Sequence, residues 1–278
     1  MPDESNYVNS AAPFLKWAGG KQRLLAQYEP HFPPADSIHH YFEPFIGSAA
    51  VFFQHQFCQA TLSDQNGKLI EVYQLVRDDV DGVIAALQPH RNEAEYYYTI
   101  RAQDPAVLTP AQRAARLIYL NKTCYNGLYR ENSQGEFNVP FGRYKNPKIC
   151  DEARLQAASA ALQGVNLRVA DFADAVVTAV PGDFVYFDPP YVPLSPTSSF
   201  TSYHKNGFAQ SDQERLAETI ATLTERGVKV MLSNSSADLV YELYGRSAYR
   251  LIDIRARRNI NSKASRRGPV KELLILNY

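Results

Sequence analysis

Short apolar runs bounded by turn residues alternate with helical patterns towards both ends of the chain. Such runs are typical of buried strands, and they cover residues 40–46, 165–170, 183–187, 228–232 and 272–277. Residues 60–64 are expected to form a further short strand that ends in an acid. Apolar residues at i, i+3 and i+4 predict helices over 69–76 and 212–223, and a short helix is expected at 49–53, after Gly47. This alternation implies a parallel sheet with right-handed crossovers.

The middle of the chain has a different pattern. From about residue 78 to 120 the apolar spacing is helical, including 111–120, and strand-like runs disappear. We therefore expect one α/β sheet domain, formed by residues 11–65 and 150–278, interrupted by a helical and loop-rich insertion at 66–149.

Composition limits the class of protein. Of the 278 residues 45% are apolar, enough for one large core or for a core plus an insertion. The 29 basic side chains balance the 29 acidic ones, so binding to a polyanion requires a local concentration of charge. Three cysteines without paired spacing predict neither a zinc site nor a disulfide framework, and no apolar stretch reaches membrane-spanning length, so we expect a cytoplasmic protein.

Residues 255–271 form one local concentration of charge. Seven basic side chains and no acid lie in this run, namely Arg255, Arg257, Arg258, Lys263, Arg266, Arg267 and Lys271. We expect a loop that contacts phosphates, with a solvated surface as the alternative.

A second basic region, at residues 121–130 and 135–148, ends the insertion. Its charged side chains are Lys122, Arg130, Arg143, Lys145 and Lys148 against Glu131 and Glu136, a net charge of +3. Planar aromatics interleaved with Arg, Lys and Asn stack on bases, read base edges and hold phosphates. A glycine-rich hairpin with a solvated basic face is the alternative interpretation.

Candidate catalytic chemistry lies at Asp188-Pro189-Pro190-Tyr191, directly after the apolar run 184–187. Open α/β sheets bind ligands at the carboxyl ends of their strands, and two prolines fix the backbone so that an acid and a carbonyl converge on one planar group. Acceptors of this kind draw an exocyclic amine towards a nucleophilic, tetrahedral shape, and Tyr191 offers a face for ring stacking. An ordinary Pro-Pro turn is the alternative.

These motifs together resemble the Dam-type DNA adenine-N6 methyltransferases over about residues 13–277. The resemblance rests on residues 13–21 (PFLKWAGGK), 43–47 (EPFIG), 126–130 (NGLYR), 137–144 (FNVPFGRY) and 188–191 (DPPY), in the family's order. It implies a Rossmann-like S-adenosylmethionine-dependent sheet with an inserted target-recognition domain. It also implies methyl transfer from S-adenosyl-L-methionine to adenine N6 in duplex DNA, most often at GATC, with the adenine flipped out.

The resemblance also implies the cofactor site. Its residues would be Trp17, Lys21, Glu43, Phe45, Gly47, Asp64, Asp171, Phe172 and Asp188. A lysine suits a carboxylate and an aromatic wall suits a sulfonium, while strand-end acids suit ribose hydroxyls and the adenine amine. Helix capping is the alternative role for each strand-end aspartate. The chain departs from the family at Ala49, where a second glycine is usual, and a slightly wider turn is expected there.

For DNA, the resemblance assigns Arg130 to a guanine edge and places Leu128 and Pro140 against apolar base edges. It places Tyr125 and Asn126 in the space left by the flipped adenine. Further DNA-binding residues in this interpretation are Lys122, Asn138, Arg143, Tyr144 and Lys145, several of them suited to phosphates. Residues 195–207, with His204, are expected to form a loop beside the active site.

The expected partner is double-stranded DNA, bound by a monomer without a membrane or a metal. A sulfonium leaving group departs neutral, so the displacement needs no Lewis acid. A methyltransferase acting on RNA or on a protein amide is an alternative, but glutamine-directed relatives have asparagine in place of Asp188 and lack the basic insertion. A non-catalytic DNA-binding protein is the third class, and it would not need the cofactor motifs. Genome neighbourhood would distinguish a restriction-modification enzyme from a solitary methylase.

Overall fold

The computed structural model describes residues 11–194, 208–245, 248–257 and 269–278. Its strands are β1 (Tyr41–Glu43), β2 (Ala60–Asp64), β3 (Asn166–Val169), β4 (Phe184–Phe187), β5 (Lys229–Ser235), β6 (Arg250–Arg257) and β7 (Pro269–Leu276). They form a seven-stranded sheet in the order β3-β2-β1-β4-β5-β7-β6. The predicted α/β class is therefore confirmed.

The pairing of β1 identifies the point where the strand order reverses. β1 runs parallel to β2 on one side and to β4 on the other, and β4 runs parallel to β5. From β1 the chain first adds β2 and β3 on one side, and it later adds β4 and β5 on the other side of β1. In open α/β sheets a crevice forms at the carboxyl ends of two such strands and binds ligands. Here those ends carry Glu43 and Asp188.

Several of the helices in the described residues begin at a capping side chain. The helices are α1 (Leu25–Tyr28), α2 (Ala50–His55), α3 (Gly67–Asp78), α4 (Val80–Leu87), α5 (Ala94–Ala102), α6 (Pro110–Thr123), α7 (Glu152–Leu162), α8 (Phe172–Ala175), α9 (Gln210–Glu225) and α10 (Asp238–Tyr244). Thr109 and Gln112 form a capping box ahead of α6, with Pro110 in its first turn. No helix in this described part of the chain is both long enough and apolar enough to cross a membrane.

The chain forms two compact units. The helical unit comprises the described residues up to Gln22, Gly47–Gln56 and Asn66–Val169, and the sheet unit comprises Arg23–Ile46, Phe57–Gln65 and Ala170–Tyr278. Buried side chains of β4, β5 and β7, such as Val185, Leu232 and Ile275, form the core of the sheet unit with α9 and α10. The predicted insertion at 66–149 lies within the helical unit, which also includes α7 and β3.

The strand β6 was not predicted, and neither were α1, α7, α8 and α10. Among the described residues β6 pairs with β7 alone, at the end of the strand order, and Asp253 and Arg255 are exposed. A strand with one solvated face shows alternation instead of a continuous apolar run, and here the apolar pattern is broken by charges. β6 and β7 therefore form an antiparallel pair that periodicity did not reveal.

The expectation of a loop over 255–271 is wrong at both ends. Arg255 lies in β6 opposite Lys271 in β7, and Arg257 ends β6. Lys271 forms an ion pair with Asp253 at 2.9 Å, so an acid adjoins the basic run across the strand pair. Arg258, Lys263, Arg266 and Arg267, like the predicted loop at 195–207 with His204, lie outside the described residues.

Candidate active site

Asp188 directly follows β4, and β5 holds its carboxylate. The Ser233 hydroxyl donates to Asp188 Oδ1 at 2.7 Å, and the Tyr186 hydroxyl lies 3.1 Å from the same Ser233 oxygen. Ser233 is fully buried, whereas Asp188 is half-buried. One carboxylate oxygen is therefore oriented by the interior of the sheet unit, and the group itself remains accessible.

The backbone after Asp188 is held by three further polar side chains. Asn234 Oδ1 accepts from Val192 N at 3.2 Å, and Ser235 Oγ donates to Val192 O at 2.6 Å. Gln213 donates to Pro190 O at 2.8 Å and accepts from Asn234 Nδ2 at 3.1 Å. These residues were not predicted. A signal existed, because three consecutive polar residues at 233–235 end an apolar strand.

Tyr191 is anchored from β7. Its hydroxyl donates to Glu272 Oε2 at 2.9 Å. Burial raises the pKa of Tyr191 well above its ordinary value, and the negative charges of Asp188 and Glu272 raise it further. The phenol therefore stays protonated and keeps donating to Glu272 at neutral pH. Sequence reasoning assigned no role to Glu272, although an acid beside an apolar strand is a detectable anomaly.

The turn after β1 contains two more of the predicted residues. Glu43 is buried, and it accepts from the Tyr41 hydroxyl at 2.9 Å. Phe45 is half-buried and stacks on Phe172, with ring centroids 5.6 Å apart and an angle of 27°. The structure thus brings Phe45 and Phe172 together beside a buried carboxylate.

Asp64 ends β2, and Asp171 caps α8 by accepting from Ala173 N at 2.9 Å. The capping role considered for strand-end aspartates is thus present at Asp171. Arg215 also donates to both Asp171 oxygens, at 2.6 and 2.9 Å, and lies 4.1 Å from the Phe172 ring centroid. Hydrogen bonding to Arg215 lowers the pKa of Asp171, so this carboxylate is ionised. The role of Arg215 was not predicted, because the helical pattern of the sequence does not distinguish this arginine from the others.

In the helical unit, Trp17 and Gly47 lie in contact. Gly47 has a φ of +45°, and a Cβ placed there would lie 2.9 Å from Trp17 Cδ1, so only glycine fits. Ala49 is buried and also left-handed, with a φ of +52°, a conformation that favours glycine. Lys21 is buried and donates to Gly19 O at 2.6 Å.

The recognition segment, residues 121–148, carries the predicted DNA-binding residues. Arg130 is exposed, and its Nε donates to Asn138 Oδ1 at 2.6 Å across an antiparallel turn. Asn138 N donates back to Arg130 O at 3.0 Å. The other exposed members are Tyr125, Asn126, Pro140, Arg143 and Lys145, and the half-buried members are Lys122, Leu128, Asn138 and Tyr144. The described residues contain no group of three or more His, Cys, Asp or Glu arranged for a metal.

The sheet is parallel from β2 to β5, but β7 is antiparallel to β5 and β6, so the expectation of a parallel sheet is wrong for these last two strands. A strand order that reverses at β1, with a loop directly after β4, is typical of α/β folds that bind a nucleotide cofactor. Residues 17–260 match the family described as D12 class N6 adenine-specific DNA methyltransferase. The chain belongs to this family, and the family resemblance seen in the sequence is confirmed. S-adenosylmethionine is the methyl donor of the family.

Three relatives match along nearly their whole length. The type II methyltransferase M1.LlaDCHI of Lactococcus lactis subsp. cremoris is 42% identical over 283 residues, which cover 99% of this chain and 98% of the relative. The type II methyltransferase M.MjaIII of Methanocaldococcus jannaschii is 44% identical over 289 residues, covering 96% and 99%. The DNA adenine methylase of Escherichia coli (strain K12) is 40% identical over 267 residues, covering 95% and 94%.

Ser233→Ala should lower the single-turnover rate of methyl transfer by about tenfold or more, since a hydrogen bond to a charged group contributes about 1.5–3 kcal/mol. The matched control is Ser159→Ala, which removes another buried hydroxyl, bonded to Arg77 O at 3.2 Å in the helical unit. Rapid-quench methylation and urea unfolding of both variants provide the measurement. Equal rates in the two variants would show that Ser233 does not orient Asp188.

Proposed function

We propose that this chain transfers the methyl group of S-adenosylmethionine to adenine N6 in duplex DNA at GATC sites, with the target adenine flipped out of the helix. The observation that carries this proposal is the Asp188 to Tyr191 turn at the carboxyl end of β4, held by Ser233 and Gln213. Such rigid support suits a group that must meet a reacting atom in one geometry.

The substrate amine is assigned to Asp188 and the adjacent backbone. The Asp188 carboxylate and the Pro189 carbonyl accept from the two N–H bonds of adenine N6, which favours a tetrahedral, nucleophilic nitrogen. Gln213 already occupies Pro190 O, so Pro189 provides the carbonyl in this proposal. Tyr191 offers its ring face, and the hydrogen bond to Glu272 limits rotation of that ring.

The residues present fit S-adenosylmethionine. Gly47 packs against Trp17 with no room for a Cβ, so the indole is held in one place. Lys21 and Glu43 carry the charges opposite to the carboxylate and the ammonium of the cofactor's amino-acid group, and Asp64 is assigned to the ribose hydroxyls. Asp171 and Phe172 are assigned to the adenine of the cofactor. When bound, the cofactor supplies an electrophilic methyl group on a sulfonium. The chain's own residues orient the amine and exclude water from it.

Recognition of DNA is assigned to the recognition segment. An exposed guanidinium whose Nε is fixed by Asn138 keeps other N–H groups available for the two acceptors of a guanine edge. Tyr125 is 52% exposed at the start of a tight turn, as a residue that enters a vacated base position must be. Arg143 and Lys145 are assigned to phosphates.

The proposal is tested on a duplex with one GATC site and on matched duplexes with one base changed. After incubation with S-adenosylmethionine and EDTA, nuclease digestion and mass spectrometry should find N6-methyladenine only in the GATC duplex. Methylation of a different sequence would contradict the assignment of GATC as the recognition site. Methylation of RNA in preference to DNA would contradict the assignment of DNA as the substrate. A requirement for magnesium would contradict the metal-free displacement.

Lys122 should make DNA affinity depend on pH. Burial, followed by the positive charges of Arg154 and Lys16, lowers the pKa of Lys122 to about 8. Only the protonated form attracts a phosphate, so affinity should fall by up to about tenfold per pH unit above 8, because binding then takes up one proton. Fluorescence anisotropy at fixed ionic strength from pH 7 to 9.5 measures this. Lys122→Arg should flatten the curve, whereas the control Lys145→Arg should not, and parallel curves for all three proteins would refute the assignment.

We further propose that residues 11–65 and 150–278 bind the cofactor, that residues 66–149 bind DNA, and that the protein acts as a monomer in the cytoplasm. The DNA substrate supports the location, and one chain contains every assigned residue. Analytical sedimentation of the protein with and without duplex DNA measures its oligomeric state. A dimer in both samples would contradict the proposed monomer.

A further inference from the structure

Asn121, in the last turn of α6, holds two segments that are distant in sequence. Its amide oxygen accepts from Lys16 N at 2.8 Å, and its amide nitrogen donates to Lys16 O at 2.7 Å and to Gly127 O at 3.2 Å. Asn121 is fully buried. One side chain thus binds both backbone groups of Lys16 and the turn of the recognition segment, in surroundings where an unmade hydrogen bond is costly.

The two segments approach closely at this point. Gly127 has a φ of +63°, and a Cβ placed there would lie 2.6 Å from Lys16 Cβ. The Lys16 ammonium lies 4.2 Å from the Tyr144 ring centroid, at the other end of the recognition segment. The backbone of residue 16 is therefore fixed against the recognition segment at several points.

Trp17, the next residue, stacks on a recognition-segment side chain. The ring centroids of Trp17 and Tyr129 are 5.3 Å apart with an angle of 26°. Tyr129 is itself fixed, because its hydroxyl donates to Glu131, which accepts from Lys68 Nζ at 2.7 Å. A change in the position of the indole must therefore displace Tyr129 or break this stack.

Tyr129 adjoins Arg130, the residue assigned to base reading. Arg130 belongs to the antiparallel turn closed by Asn138, and an isolated bridge joins Glu131 to Phe137. The Tyr129 ring packs edge-on against Phe137 at 5.8 Å, which fixes it to the opposite strand of that turn. A continuous set of packed groups thus links Trp17 to Arg130, the arginine assigned to base reading.

We propose that Tyr129 is a positioning residue that couples cofactor binding to base reading, with Asn121 holding the backbone on which the stack depends. The proposal rests on the proposed function, since it takes Trp17 as a cofactor residue and Arg130 as a DNA residue. A cofactor against Trp17 and a guanine against Arg130 both stabilise the same arrangement of the stack. Each ligand therefore raises the affinity for the other.

The test compares Tyr129→Leu, which removes the ring, with Tyr129→Phe, which keeps the ring and removes the hydroxyl. Tyr98→Leu is the matched control, because Tyr98 is an exposed tyrosine of α5 in the same unit. Calorimetry measures the affinity for S-adenosylhomocysteine, which cannot react, alone, with the GATC duplex and with a duplex of one changed base. Trp17 is the only tryptophan of the chain, so its emission reports the stack directly.

In the wild type and in Tyr98→Leu, the GATC duplex should tighten cofactor binding about fivefold or more, and the changed duplex should do so less. Tyr129→Leu should abolish this difference and shift the emission of Trp17. The same variant should bind the cofactor alone with little change in affinity. Tyr129→Phe should retain most of the coupling. Wild-type coupling in Tyr129→Leu, or no coupling in the wild type, would overturn the inference alone. Failure of the wild type to bind S-adenosylhomocysteine would overturn the proposed function, and this inference with it.

Discussion

Asp188→Ala should abolish measurable methyl transfer while the protein still folds. The carboxylate acts on the amine chiefly in the transition state, so its loss should raise the barrier by about 3 kcal/mol or more, a rate decrease of at least about a hundredfold. Folding should survive because Asp188 is half-buried and Ser233, its hydrogen-bond donor, can donate to the Phe187 carbonyl at 3.4 Å instead. Single-turnover methylation and thermal melting provide the measurements.

The matched control for this variant is Asp36→Ala, which removes an exposed acid from the same unit. It should keep the wild-type rate. Asp188→Asn is informative as well, because an amide retains one acceptor but loses the negative charge, and its rate should lie between those of the wild type and the alanine variant. Near-normal turnover by Asp188→Ala would remove this acid from the catalytic machinery.

Arg130→Ala should reduce discrimination between the GATC duplex and a duplex with one changed base. A bidentate contact of arginine with guanine contributes about 1–3 kcal/mol of discrimination, so the ratio of affinities should fall by about fivefold to 150-fold. The arginine is exposed and bonded to Asn138, so its removal leaves the core of the helical unit intact. Competition binding with both duplexes at one salt concentration measures the ratio.

Arg143→Ala and Lys145→Ala serve as controls for Arg130→Ala, since both residues are exposed and assigned to phosphates. They should weaken binding to all duplexes alike and reduce the salt slope by about 1 each. A uniform loss of affinity in Arg130→Ala, with discrimination preserved, would assign this arginine to the backbone instead of a base.

Complete burial explains why β4 was predicted well, but β3, also expected to be a buried strand, is exposed at Asn166 and Val169. β4 is an apolar run buried at all four positions, and β2 has the predicted bounds 60–64 with its first four residues buried. An apolar run is sufficient to predict a strand such as β4, because both of its faces are covered. β6 was not predicted because one face of this strand is exposed to solvent, and the charged residues on that face interrupt the apolar pattern.

The sequence motifs also predicted the acidic residues at the strand ends. They did not predict the side chains that form hydrogen bonds to these acids and to the adjacent backbone. Ser233 and Gln213 are 45 and 23 residues from the groups they bind, and no short-range pattern encodes such a partnership. Arg215 and Asn121 were missed on the same grounds. A buried asparagine at the end of a helix reads as an ordinary polar residue until the segment that it binds is seen.

The place of β7 in the sheet has a consequence for synthesis. β7 follows both β5 and β6 in the chain, yet it lies between them and pairs with each. Until the ribosome releases residues 269–276, both neighbours lack the partner that joins them, and unpaired strand edges associate readily with other chains. A chain that stops short of β7 should therefore aggregate, and co-translational folding of the sheet should finish only when this strand enters.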